Sequence, residues 1–161
     1  MDTAVAAGEL HGGSAVLEIG CGTGKLTELL VQRGLRVHAV EPGANLIDAA
    51  RARLGSTDAV TYEAERFEDA ALAEHSYDAV FSATAFHWID PEVGWAKVAH
   101  VLEPGGLLAL VAYVGVEDPR SCAIDAGFTE LLHAHAPALD EESHELPSAA
   151  ALLRRRARAA R

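Results

Sequence analysis

Short apolar runs recur through the first two thirds of the chain, and between them apolar positions fall at helical spacing. Ser14 to Gly20 is apolar almost throughout, which predicts a strand buried on both faces, as in a parallel sheet. Leu35 to Val40 (LRVHAV) alternates and predicts a second strand. Val60 to Tyr62 reads as a short third strand, Tyr77 to Phe81 as a fourth and Leu107 to Tyr113 as a fifth, the last preceded by a turn at Glu103-Pro104-Gly105-Gly106. Between the first two strands, Leu26, Leu29 and Leu30 share the apolar face of a helix capped by Thr23 or Gly24, running to Arg33 and ended by Gly34. Leu46, Ile47, Ala50 and Leu54 predict a helix from Ala44 that stops at Gly55. Asp90-Pro91 supplies a cap and a first-turn proline for another helix, running through Val101. Residues 1–13 carry at most a short helix and a turn at Gly12-Gly13. This alternation predicts right-handed βαβ units and a parallel sheet with helices on both faces.

The chemistry concentrates where the first strand meets its helix. Gly20, Gly22 and Gly24 stand two apart, so three positions of the turn carry no Cβ. A strand feeding a helix through such a loop leaves the first helical N–H groups unpaired and able to hold an anionic group of a ligand. A dinucleotide fingerprint would place its third glycine one position later, where this chain has Lys25. A phosphate-cradling loop would end in Gly-Lys-Ser/Thr, whereas Gly24-Lys25 is followed by Leu26. At the end of the second strand stands Glu41, seventeen positions after Gly24, where a carboxylate can accept from both ribose hydroxyls of a nucleoside lying across the strand ends. The alternative is a solvated turn acid before Pro42.

Glu18-Ile-Gly-Cys-Gly-Thr-Gly24 resembles, residue for residue, the first motif of class I S-adenosylmethionine-dependent methyltransferases. Asp78 ahead of its apolar run, and Leu102 to Gly106 (LEPGG) ahead of an apolar strand, resemble further signatures of that family. Ala85 to Asp90 (AFHWID) resembles a branch of it that acts on small molecules. The resemblance runs from about Ala15 to Tyr113. It implies a Rossmann-like three-layer α/β/α sandwich with a mostly parallel sheet, and methyl transfer from S-adenosyl-L-methionine to a small-molecule acceptor. It also implies that Gly20, Cys21, Gly22 and Gly24 border the methionine portion, that Glu18 helps hold its amino group, that Glu41 binds ribose, and that Ala64 with Glu65 borders adenine. His87 would take or orient a proton of the acceptor, since an imidazole titrates near neutrality. The alternative for His87 is packing of its loop onto the following helix. An alternative for the whole chain is a non-catalytic or incomplete S-adenosylmethionine-binding domain that needs a partner.

Length, charge and cysteine content narrow these readings. The 161 residues are half hydrophobic, enough for one domain with its own core. Formal charge is −11, and five of the eleven arginines lie in the last eight positions, so up to Leu153 eight basic residues face 24 acidic ones. That balance disfavours nucleic-acid phosphate as a partner. Cys21 and Cys122 form no disulfide framework, no run approaches a membrane span, and the N-terminus has no signal-peptide pattern, so a cytoplasmic protein is expected. Residues 118–135 predict a helix, 136–147 an acidic loop and 148–161 a terminal helix whose arginines complement its dipole. His133 and His135 point apart on a helix, so no metal is expected there. A full class I methyltransferase would add a sixth strand and an antiparallel seventh. Their absence from the pattern predicts a truncated form whose sheet edge is exposed and open to self-association.

Overall fold

The computed structural model describes residues 1–112, together with Glu130 and Ala134. The chain divides into two compact units, Met1–Ala112 and Tyr113–Arg161, and the sheet belongs to the first. Apart from those two positions, the expectations for residues 113–161, including the histidine cluster and the arginine-rich end, lie outside the described residues.

Among the described residues five strands form one all-parallel sheet: β1 (Ala15–Ile19), β2 (Arg36–Val40), β3 (Val60–Glu63), β4 (Tyr77–Ala83) and β5 (Leu102–Val111). Their order is β3-β2-β1-β4-β5, so successive connections run outward from β1 in one direction and then cross back to build on its other side. In open α/β sheets, ligands collect at the carboxyl ends of the strands flanking such a reversal. Among the described residues, β3 and β5 are the sheet's edges.

Within residues 1–112 five helical segments accompany the sheet: α1 (Asp2–Ala7), α2 (Lys25–Val31), α3 (Ala44–Leu54), the 3-10 turn α4 (Phe86–Trp88) and α5 (Pro91–Val101). Alternation along β1 sends Val16 to one face, where Leu26 and Leu30 of α2 and residues of α1 pack, and Leu17 and Ile19 to the other, where Val98 and Val101 of α5 pack. The result is three layers, as the resemblance implies. Helices α3 and α5 have the bounds their sequence signals predict. Asp90 caps α5 by accepting the Glu92 N–H at 2.9 Å, with Pro91 in the first turn.

Two expectations are corrected. Helix α2 ends at Val31 rather than Arg33, and its buried positions are Leu26, Thr27 and Leu30, whereas Leu29 is 42% exposed. Its contact stripe passes through Thr27 because the neighbouring strand presents Glu18 there. The fifth strand begins at Leu102, not Leu107. Tyr77 pairs with Leu102 while Ala79 pairs with Leu107, so the Glu103–Gly106 turn lies inside β5 as a bulge. Gly105, at φ +87°, and Gly106, where a Cβ would sit 2.9 Å from the Glu103 carbonyl oxygen, allow that bulge.

Candidate functional site

The carboxyl ends of β1, β2 and β3 are held level by backbone bonds. The Gly20 N–H donates to the Val40 carbonyl at 2.8 Å, and the Glu41 N–H donates to the Glu63 carbonyl at 3.0 Å. This puts Glu41 beside the glycine loop. Its Oε2 accepts the Gly22 N–H at 3.0 Å and its Oε1 accepts the Gly43 N–H at 2.9 Å. A carboxylate has about four acceptor sites, so these two bonds orient Glu41 and leave others for a ligand.

The three loop glycines all have positive φ, yet their surroundings differ. A Cβ on Gly20 would meet the Ala85 Cβ at 2.3 Å, so Gly20 lets the loop after β4 close against the end of β1. A Cβ on Gly24 would meet the Ala50 Cβ at 2.9 Å, so Gly24 lets α2 approach α3. A Cβ on Gly22 would meet nothing within 4 Å. Gly22 is therefore the loop position with open space before it.

Behind the loop lies Glu18, 1% exposed. Burial pushes its carboxyl up to about 7, with Thr27 partly opposing the shift. Neither Glu18 Oε2 nor Thr27 Oγ1 has a hydrogen-bond partner of proper geometry, which leaves two orphaned polar atoms next to the loop. Burial, then the charges of Glu18 and Glu41, push the Cys21 thiol up to about 12, so it stays protonated and is no nucleophile.

A cleft of about 200 Å³ opens at these strand ends. Ile19 and Gly20 line it from β1, Val40, Glu41 and Pro42 from β2, Arg66, Phe67 and Glu68 from the loop after β3, and Ala85, Trp88 and Ile89 from the loop after β4. The structure thus brings Gly20 and Glu41 into the cleft wall, with Gly22 bonded to Glu41 and Glu18 and Cys21 packed behind. Gly24 faces α3. Ala64, Glu65 and His87 are exposed and stand outside the lining. The His87 ring lies 4.9 Å from that of Trp88.

Sequence reasoning missed Arg66, Phe67 and Glu68. Their loop has no periodicity, and its one signal is a lone aromatic among charges. Phe67 is 2% exposed and anchors the loop in the core. Lys97 Nζ donates to the Glu68 carbonyl at 2.9 Å and the Ala70 carbonyl at 2.6 Å, binding the loop to α5. Burial would raise the Glu68 carboxyl, but its own amide, the Asp90 amide and Arg66 together hold it below the usual range. Its Oε1 accepts the Asp90 N–H and Arg66 Nη2, each at 3.1 Å, joining the two loops that flank the cleft.

An S-adenosylmethionine-type ligand fits these residues. The open space at Gly22 admits backbone approach, the Glu41 carboxylate is aimed beside it, and the orphaned Glu18 oxygen behind the loop still lacks a donor. Among the described residues no group of His, Cys, Asp and Glu could hold a metal ion, and no helix is long and apolar enough to cross a membrane.

Residues 17–110 match a family model described as a methyltransferase domain. An uncharacterized methyltransferase of Mycobacterium tuberculosis is 49% identical over 96 residues, spanning 60% of this chain and 38% of that protein. The ubiquinone biosynthesis O-methyltransferase of Xylella fastidiosa is 38% identical over 100 residues, 60% of this chain and 40% of that one. A candidate type II methyltransferase structure from Anaeromyxobacter dehalogenans superposes with a TM-score of 0.66 at 31% identity, covering 83% of this chain and 56% of that one. The chain spans about two fifths of the length of these two curated relatives.

Proposed function

Because the chain belongs to the methyltransferase domain family, we propose that it transfers a methyl group from S-adenosylmethionine to a small-molecule acceptor bound across the carboxyl ends of its strands. The observation that carries this reading is the Glu41 carboxylate, tied to the amides of Gly22 and Gly43 and lining the cleft. When bound, the donor supplies a methyl group on a cationic sulfur that departs as a neutral thioether.

Positioning is the protein's main contribution, since holding two reactants in line converts a bimolecular step into a unimolecular one. Glu41 accepts from the ribose hydroxyls with its free lone pairs. Gly20 and Gly22 let the loop backbone approach the methionine portion, and Glu18 helps hold its amino group. Cys21 fills space as a neutral thiol, and Gly24 sets the helix packing that fixes the loop. Ala64 and Glu65, leading into the lining residue Arg66, border the adenine. Apolar walls from Ile19, Val40, Phe67 and Ile89 exclude water from the transfer. His87, exposed on the turn after β4, takes or orients a proton of an acceptor hydroxyl or carboxyl.

The test is transfer of a labelled methyl group from S-adenosylmethionine to a panel of small hydroxylated, carboxylated and amino acceptors. Label in one or more acceptors supports the proposal. S-adenosylhomocysteine binding without transfer to any acceptor would favour a donor-binding domain that is not itself catalytic.

A further inference from the structure

Among the described residues three buried side-chain oxygens lack a hydrogen-bond partner: Glu18 Oε2, Thr27 Oγ1 and the Tyr62 hydroxyl. All three belong to one region of the core. Glu18 pairs in register with Ala39, and Ala39 with Tyr62, so the three residues stand in one row on one face of the sheet. Ala39 puts only a methyl group between the other two, which leaves room above it for the carboxyl and the phenol. Helix α2 packs on this face through Leu26, and its Thr27 lies close enough that hydroxyl and backbone both favour ionised Glu18. On the far side of the row the Arg51 guanidinium of α3 sits 5.4 Å from the centre of the Tyr62 ring. Burial, then the charges of Cys21 and Glu18, raise the Tyr62 phenol, and Arg51 partly opposes them.

A protonated carboxyl cannot use this much hydrogen-bonding capacity. It brings a donor of its own, whereas an ionised carboxylate only accepts and takes an O–H from each hydroxyl. Burial nevertheless holds the Glu18 proton up to about 7. The hydroxyls favour ionisation and desolvation resists it, so a positive charge arriving nearby tips the balance. Among the described residues, the titratable groups facing Glu18 are Cys21 of the loop, Glu41 of β2 and Tyr62 of β3, none of them a cation. Arg51 lies beyond the phenol ring, α2 presents Thr27, and β4 presents Phe81 at the paired position.

We propose that Tyr62 and Thr27 are positioning residues of the donor site: their hydroxyls hold an ionised Glu18, which releases its proton to solvent as the donor's positive amino group settles on the glycine loop. This rests on the methyltransferase reading above. Donor binding and proton release are then one event, and by linkage the donor binds more tightly as pH rises, until Glu18 is already ionised beforehand.

The test titrates the full chain with S-adenosylhomocysteine, which carries the same amino group, in buffers of different ionisation enthalpy, so that calorimetry counts the protons exchanged. The expected result is release of about half a proton or more at pH 6 and about none at pH 8, with affinity about threefold or more tighter at the higher pH. Glu18→Gln should release none. Tyr62→Phe should keep its thermal stability, because the hydroxyl it loses has no partner, and yet release fewer protons at pH 6 and bind more weakly there. Thr27→Val should lower the proton count likewise. No exchange at pH 6, uptake instead of release, or an unchanged count in either folded variant overturns the inference and leaves the donor reading standing. Release that survives Glu18→Gln overturns it by assigning the proton to another group. No binding of S-adenosylhomocysteine by the unaltered chain defeats both readings.

Discussion

Glu41 and Gly22, nineteen positions apart, meet through a hydrogen bond of 3.0 Å from the Gly22 amide to Glu41 Oε2. One carboxylate therefore orients the glycine loop and faces the cleft. Glu41→Ala should lower the thermal stabilisation conferred by S-adenosylhomocysteine, with a loss of about 1–3 kcal/mol in binding, the range for stranding hydrogen-bonding partners. A melting shift equal to that of the unaltered protein would remove Glu41 from the site.

Gly20 and Gly22 should respond differently to the same substitution. Gly20→Ala drives a Cβ to 2.3 Å from the Ala85 Cβ at φ +70°, so it should cost about 2–4 kcal/mol of folding stability, from overpacking added to left-handed strain. Gly22→Ala meets open space at φ +53° and should cost only about 1–2 kcal/mol of stability while weakening donor binding. Denaturant melts paired with titrations separate the two. Equal stability losses would contradict the contrast.

Glu18 makes stability depend on pH. The folded chain holds its proton up to about 7, while the unfolded chain releases it near 4.5. Between those values the folded state binds more protons, so the contribution of Glu18 to stability falls as pH rises, and above about 7 the whole penalty remains. Glu18→Gln removes it. The variant's stability relative to the unaltered chain should therefore improve by about 3 kcal/mol between pH 4 and pH 8. Parallel pH curves from denaturant melts would show that Glu18 is not held protonated.

Lys97 binds the Phe67 loop to α5 through two carbonyls. Lys97→Met keeps the length of the side chain but leaves both carbonyls unpaired, and should cost about 1–3 kcal/mol. An unchanged melting temperature would show that the two Lys97 bonds do not hold the loop.

What could be read from the sequence follows from which physics is local. The strands and helices α3 and α5 were legible because apolar period, Gly55, Asp90 and Pro91 act within a few residues of where they stand. The family resemblance placed the glycine loop, and the β1–β2 pairing in the structure sets Glu41 beside it. The start of β5 was not legible, because pairing of Leu102 with Tyr77 is a register between distant segments and the intervening turn hides as a bulge. Burial of Thr27 in place of Leu29 depends on which neighbour the helix meets. The cleft wall at Arg66–Glu68 is an irregular loop whose position comes from Phe67 and Lys97, contacts that no spacing announces.

A crystal structure of the chain with S-adenosylhomocysteine tests the central claim most directly. The ribose hydroxyls should lie within hydrogen-bond distance of the Glu41 carboxylate, with the nucleoside across the ends of β1 and β2 and the sulfur facing the loop that carries Trp88. Density for the nucleoside elsewhere on the molecule, or a bound nucleoside that leaves Glu41 untouched, would contradict it.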